Sequence, residues 1–135
     1  MDYKLELVVV PVSDVDRAKA FYAEECGFNI DVDTGMRNGM RVVQLTPSGS
    51  ACSITIGVGL IDSPPGSLKG MQLVVSDVEA AREDLSSRGV DVSTVQHMSD
   101  AGQWEDGKGG PWNSFIFFQD PDGNAWTVQE RPADA

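Results

Sequence analysis

Val12-Ser13-Asp14-Val15-Asp16-Arg17-Ala18 returns 63 residues later as Val75-Ser76-Asp77-Val78-Glu79-Ala80-Ala81. A second echo follows: Pro47-Ser48-Gly49-Ser50-Ala51 returns as Pro121-Asp122-Gly123-Asn124-Ala125, 74 residues later. The chain is therefore one unit written twice, with an insertion in the second copy between its helix and its last turn. In each copy an apolar, β-branched run leads into Ser-Asp, an N-cap followed by an acidic first turn, and the helix closes at a glycine, Gly27 or Gly89. Three strands are expected after the first helix, near Asn29 to Asp33, Met40 to Leu45 and Ala51 to Val58. After the second helix they are expected near Val90 to Met98, Ser114 to Gln119 and Ala125 to Glu130. The Pro-Ser-Gly and Pro-Asp-Gly turns make the last two strands of each copy a hairpin.

The order is β-α-β-β-β twice, an α+β fold. It predicts two tandem βαβββ modules, about 4–60 and 68–131, in a single domain spanning 1–135. The Pro-rich stretch 61–67 is a stiff linker between them. One helix covers one sheet face only, so two such sheets are expected to form a curved mixed sheet around a ligand cleft.

Composition narrows the function. Ten basic residues against 21 acidic in 135 give a net charge of −11, which argues against nucleic acid and anionic membranes as partners. No apolar run nears the roughly 18 residues of a membrane span, and no basic, apolar leader opens the chain, so a cytoplasmic protein is expected. Cys26 and Cys52 stand alone, as two reduced thiols.

The paired pattern, carried by Val12-Ser13-Asp14-Val15-Asp16-Arg17-Ala18-Lys19-Ala20-Phe21-Tyr22 and Asp120-Pro121-Asp122-Gly123-Asn124, resembles the vicinal oxygen chelate superfamily. That group includes glyoxalase I, extradiol dioxygenases and the fosfomycin and bleomycin resistance proteins. The resemblance covers Leu5 to Glu130 and implies a homodimer with its cleft at the interface. It also implies metal ligands at four positions, which here hold Leu7, Ser53, Gly70 and Thr127. A leucine, a glycine and two neutral hydroxyls lack the imidazole, thiolate or carboxylate a divalent ion needs. No metal and no cofactor are expected, and the metal-dependent mechanisms of the family are set aside.

Strand parity selects the side chains expected in the cleft: Leu7, Ser53, Gln72, Thr127 and Gln129, joined by Phe115 and Phe117 and by Arg41 on the matching first-copy strand. The insertion around 97–112 reads as a Gly-rich loop without regular structure. It carries Trp104 and Trp112, two rings able to stack on a planar or cationic ligand. His97, the lone histidine, is the candidate catalytic base. Three readings follow. The first is a metal-free binding protein of the bleomycin-resistance type that sequesters an aromatic or cationic small molecule. The second is a metal-independent lyase or isomerase acting on a small carbonyl-type substrate. The third is a degenerate structural or regulatory module.

Overall fold

The computed structural model describes residues 1–35 and 38–135, which form two compact units. Unit 1 comprises Met1–Leu68 together with Asp120–Asn124, and unit 2 comprises Lys69–Gln119 and Ala125–Ala135. Among the described residues no helix is long and apolar enough to cross a membrane.

Unit 1 carries β1 (Leu7–Val9), α1 (Val15–Ala20), β2 (Asn29–Gly35), β3 (Arg41–Thr46) and β4 (Ser53–Val58). Its four-stranded sheet has the order β1-β4-β3-β2, parallel between β1 and β4 and antiparallel elsewhere. Of the two cap candidates in Ser13-Asp14, Asp14 caps α1 by accepting from the Arg17 N–H. The helix then widens into a π-type turn over Phe21–Glu25, where the Cys26 N–H reaches the Phe21 carbonyl at 3.0 Å. This turn seats two successive aromatics, Phe21 and Tyr22, in the core at an edge-to-face separation of 5.1 Å. Val10, Val43, Leu45, Ile54 and Ile56 complete that core on the helix side of the sheet.

Unit 2 carries β5 (Met71–Val75), α2 (Val78–Ser87), β6 (Gln96–Met98), β7 (Trp104–Asp106), β8 (Phe115–Gln119) and β9 (Ala125–Glu130), in the sheet order β5-β9-β8-β6-β7. Asp77 caps α2 through the Ala80 N–H, repeating the first copy. Ile116, Phe118, Trp126 and Val128 form the helix-side core, with Phe118 and Trp126 stacked at 5.9 Å. Two expectations change here. The strand expected over 90–98 is limited to Gln96–Met98. The insertion is not irregular either, because β6 and β7 pair as an antiparallel hairpin, Met98 opposite Trp104. The turn at 99–103 closes through Ser99 N–H to the Gln103 carbonyl at 2.8 Å. Alternating polar and apolar residues in a run of three are too short to show a strand period, so the pairing is invisible in sequence.

The Asp120–Asn124 turn belongs to unit 1 and holds it together. Asp120, nearly buried, accepts from the Tyr22 hydroxyl at 2.7 Å, from the Asn124 side-chain amide at 2.8 Å and from the Asp122 and Asn124 backbone N–H groups. Asn124 donates to the Pro11 carbonyl at 2.8 Å and accepts from the Leu68 N–H at 3.0 Å. Asp122 accepts from the Ser13 hydroxyl and N–H. Gly66 passes so close that a Cβ there would lie 2.0 Å from the Asp122 carbonyl oxygen, and its φ is +80°.

Charges on the helix side form a second tie. Arg41 on β3 pairs with Asp16 on α1 at 2.7 Å and with Asp33 on β2 at 3.1 Å, while Lys19 reaches Asp33 at 2.6 Å. The Arg41 and Lys19 hydrogen bonds hold the Asp33 carboxyl at about 2 against an ordinary 3.8, and the Asp33 and Asp16 bonds raise Arg41 further.

Two outcomes follow. Asn124→Ala should cost about 3 kcal/mol or more in urea unfolding, since it strands buried partners on three segments. Asp33 ionises more readily folded than unfolded, so its stabilisation is full above pH 3.8 and is lost as pH falls toward 2. Asp33→Asn should therefore lower the thermal midpoint at pH 7 and flatten its fall across that acid window.

Candidate functional site

Strand register assigns each expected site residue to a face. In unit 2, Phe115 lies opposite Gln129 and Phe117 opposite Thr127, and Gln72 on β5 also pairs with Thr127. Paired residues share a face. All five thus lie on the face away from α2, because Ile116, Phe118, Trp126 and Val128 take the other one.

That far face has an aromatic half and an amide half. Phe115 and Phe117 are nearly parallel at 6.4 Å, and the Trp104 ring meets each edge-to-face, at 5.3 and 5.0 Å. Trp104 is 46% exposed and Phe115 and Phe117 are half-buried, so this cluster presents apolar π surface to solvent. Beside it Gln129 donates to the Trp112 carbonyl at 2.7 Å and accepts from the Gln72 amide at 2.7 Å. A carbonyl only accepts, which fixes the orientation of both amides and leaves one N–H of each, together with the Gln72 oxygen, for a ligand.

Trp112 has φ +63°, a left-handed conformation outside the usual range for a bulky side chain, and is half exposed. The segment carrying it is anchored at both ends. Asn113 bonds both the N–H and the carbonyl of Met98, and Lys108 pairs with Glu130 at 3.0 Å, which raises the lysine's pKa. The backbone therefore over-determines the Trp112 position.

His97 is placed differently. Gln96 pairs with Phe115, so its neighbour His97 points to the opposite face of the sheet, with Glu105 across from it. Its Nδ1 lies 2.9 Å from the Gly107 carbonyl oxygen and its Nε2 lies 3.4 Å from Glu105. A ring held this way supports the β6–β7 hairpin and does not share the face of Trp104 and the glutamines.

In unit 1, Leu7 pairs with Ser53 across β1 and β4, and both lie on the face away from α1. Arg41 does not join them. Register puts it on the helix side with Val43 and Leu45, where Asp16 and Asp33 hold it. The expectation failed by a single residue of parity, which transfers a whole strand to the other face. The residues that do share the Ser53 face on β3 are Val42, Gln44 and Thr46, all missed in sequence. Burial of Val43 and Leu45 would have revealed them, had that pair been assigned to the core. A groove of about 350 Å³ lined by Asp16, Lys19, Ala20, Ala23, Glu24 and Ile30 lies on α1, the π-type turn and β2, and none of the expected site residues lines it.

The metal positions implied by the family are Leu7, Ser53, Gly70 and Thr127, and this donor set does not fit a divalent ion. Among the described residues no three His, Cys, Asp or Glu side chains converge.

Comparison with known proteins agrees with this architecture. The model of the Glyoxalase/Bleomycin resistance protein/Dioxygenase superfamily matches residues 4–128. TnmS3, an antibiotic binding protein from Streptomyces sp. CB03234, is 34% identical, with a TM-score of 0.76 over 96% of this chain and 97% of its own. A glyoxalase/bleomycin resistance protein from the same organism is 35% identical, with a TM-score of 0.74 over 94% and 100%. YetH of Bacillus subtilis (strain 168), an uncharacterized protein, is 26% identical over 125 residues, 91% of this chain and 94% of its own. With two matched copies of its strand-helix-hairpin pattern and this family model spanning nearly all of it, the chain belongs to the Glyoxalase/Bleomycin resistance protein/Dioxygenase superfamily.

Proposed function

We propose that this protein is a metal-free small-molecule binding protein that sequesters a planar aromatic or cationic ligand. The observation that carries the reading is the half-exposed Trp104–Phe115–Phe117 cluster beside the oriented Gln72–Gln129 amide pair. Apolar π surface supplies affinity and a few fixed polar groups supply orientation, the usual division of labour in a small-molecule site. Trp104 presents a ring that a planar cation can stack on, and the net charge of −11 draws cations toward the protein. An antibiotic binding protein among its structural neighbours supports the same class of function.

The lyase or isomerase alternative has no comparable support, since His97 is engaged with Gly107 and Glu105 on the other face of its sheet. The exposed aromatic cluster likewise weighs against a purely structural module. The reading includes a cytoplasmic homodimer, the state the family resemblance implies, which sedimentation velocity would check.

Proflavine, planar and cationic, serves as a probe through tryptophan quenching and calorimetry. Binding should be saturable, and Trp104→Ala should weaken it about tenfold to a hundredfold while the thermal midpoint shifts by only a few degrees. Added zinc or EDTA should change neither result. Absence of saturable binding, or equal affinity in Trp104→Ala, would overturn the assignment of this face.

A further inference from the structure

His97 lies on the helix side of the unit 2 sheet, and three segments close on its side chain. Its Nδ1 is 2.9 Å from the Gly107 carbonyl oxygen and its Nε2 is 3.4 Å from the Glu105 carboxylate. The chain at Gly109 passes so near that a Cβ there would lie 2.9 Å from the His97 Cβ. The side chain is 23% exposed, against 58% for Glu105.

The two ring contacts make different demands. A carbonyl only accepts, so Nδ1 carries a proton whenever it meets Gly107. A neutral imidazole then presents a bare lone pair at Nε2 to a carboxylate oxygen that also only accepts. Both contacts are satisfied together only by the doubly protonated ring, whose Nε2–H donates to Glu105 in a charge-assisted bond. Loss of that proton leaves the Gly107 bond intact and sets two acceptors against each other at Glu105.

The other charged groups around this side of the sheet are engaged elsewhere or turned away. Arg82 of α2 donates to the Ser93 carbonyl at 2.9 Å, and Lys108 pairs with Glu130 in the field of Asp77 and Glu79. Asp84 pairs with Arg88, and Glu83 is exposed on α2. Asp106 shares the face of Trp104 and accepts from the Thr94 hydroxyl at 3.3 Å. Glu105 is the charge that reads the His97 proton.

The consequence falls on β7, a three-residue strand at the edge of its sheet that neighbours β6 alone. A short edge strand has few ties, so one more or one fewer changes how often it opens. His97 and Glu105 are register partners across this hairpin, and Trp104, which packs on Phe115 and Phe117, directly precedes Glu105. We propose that His97 is a proton-operated clamp on the β6–β7 hairpin. Doubly protonated, it draws Glu105 and β7 onto β6 and holds Trp104 against the two phenylalanines; on losing the proton it loosens them. The effect on ligand affinity rests on the reading of that aromatic cluster as a binding surface, whereas the clamp itself does not.

The test compares the full chain at about pH 8 and about pH 5.5, a span in which imidazoles take up a proton and carboxylates stay ionised. The Gly107 N–H bonds the Val95 carbonyl at 2.8 Å and closes the hairpin, so its hydrogen-exchange protection factor reports opening. That factor should rise about two- to fivefold at the lower pH, the size expected of a partly exposed ion pair. Glu105→Gln, whose amide can donate to the neutral ring, should abolish the rise. So should His97→Asn, which keeps a donor for Gly107 but does not titrate. Proflavine should bind about two- to fivefold more tightly at the lower pH, and both variants should lose that difference. A protection factor indifferent to pH, or one that rises equally in the two variants, overturns the clamp. Saturable proflavine binding with the same affinity at both pH values overturns it as well. Proflavine that binds at neither pH overturns the reading of the aromatic face instead, and the Gly107 protection factor still decides the clamp.

Discussion

Asn124 is fully buried, and its side chain reaches three separate segments of unit 1. Its amide bonds the Pro11 carbonyl at the end of the first strand and the Asp120 carboxylate, and its oxygen takes the Leu68 N–H at the end of the connector. Asp120 extends the cluster to Tyr22 on the π-type turn. Burying an amide and a carboxylate is unfavourable unless nearly all their hydrogen-bonding capacity is met, and here it is met only if helix, strand, connector and turn all arrive together. The cluster makes one local motif the condition for the whole unit. It also gives separate physical reasons for the motif's letters: Asp120 and Asn124 are the buried network, Asp122 holds Ser13, and Gly66 leaves room for the Asp122 carbonyl.

The second organising constraint is the sorting of polarity between sheet faces. In unit 1 the charged groups Arg41, Asp33, Asp16 and Lys19 tie β2 and β3 to α1 on the helix side, around a core of Val43, Leu45, Ile54 and Ile56. The other face carries Leu7 together with the hydroxyls of Thr46 and Ser53 and the Gln44 amide. In unit 2 the far face is divided between aromatic rings and two glutamines. Neutral groups lose less on leaving water than charged ones do. A family that elsewhere places metal ligands at equivalent strand positions here has Leu7, Ser53, Gly70 and Thr127.

The repeat, the helix caps at Asp14 and Asp77, the turn glycines and the alternation of β8 and β9 were all readable, because each depends on spacing along the chain. Phe115, Phe117, Thr127, Gln129 and Gln72 fell on one face for the same reason. Arg41 did not, because its strand was entered one residue out of phase. His97 did not either, since its face depends on pairing with strands distant in sequence.

The sequence by itself determined the two-copy architecture and the main strand and helix types, since these follow from periodicity and from the chemistry of single side chains. Tertiary structure alone decided that the insertion folds as the β6–β7 hairpin, that Trp104 packs on Phe115 and Phe117, and that the Asp120–Asn124 turn belongs to unit 1. The physical reason is common to all three. Each depends on which groups from separate strands and turns come within hydrogen-bonding or van der Waals distance, and that is set by register and packing rather than by order along the chain.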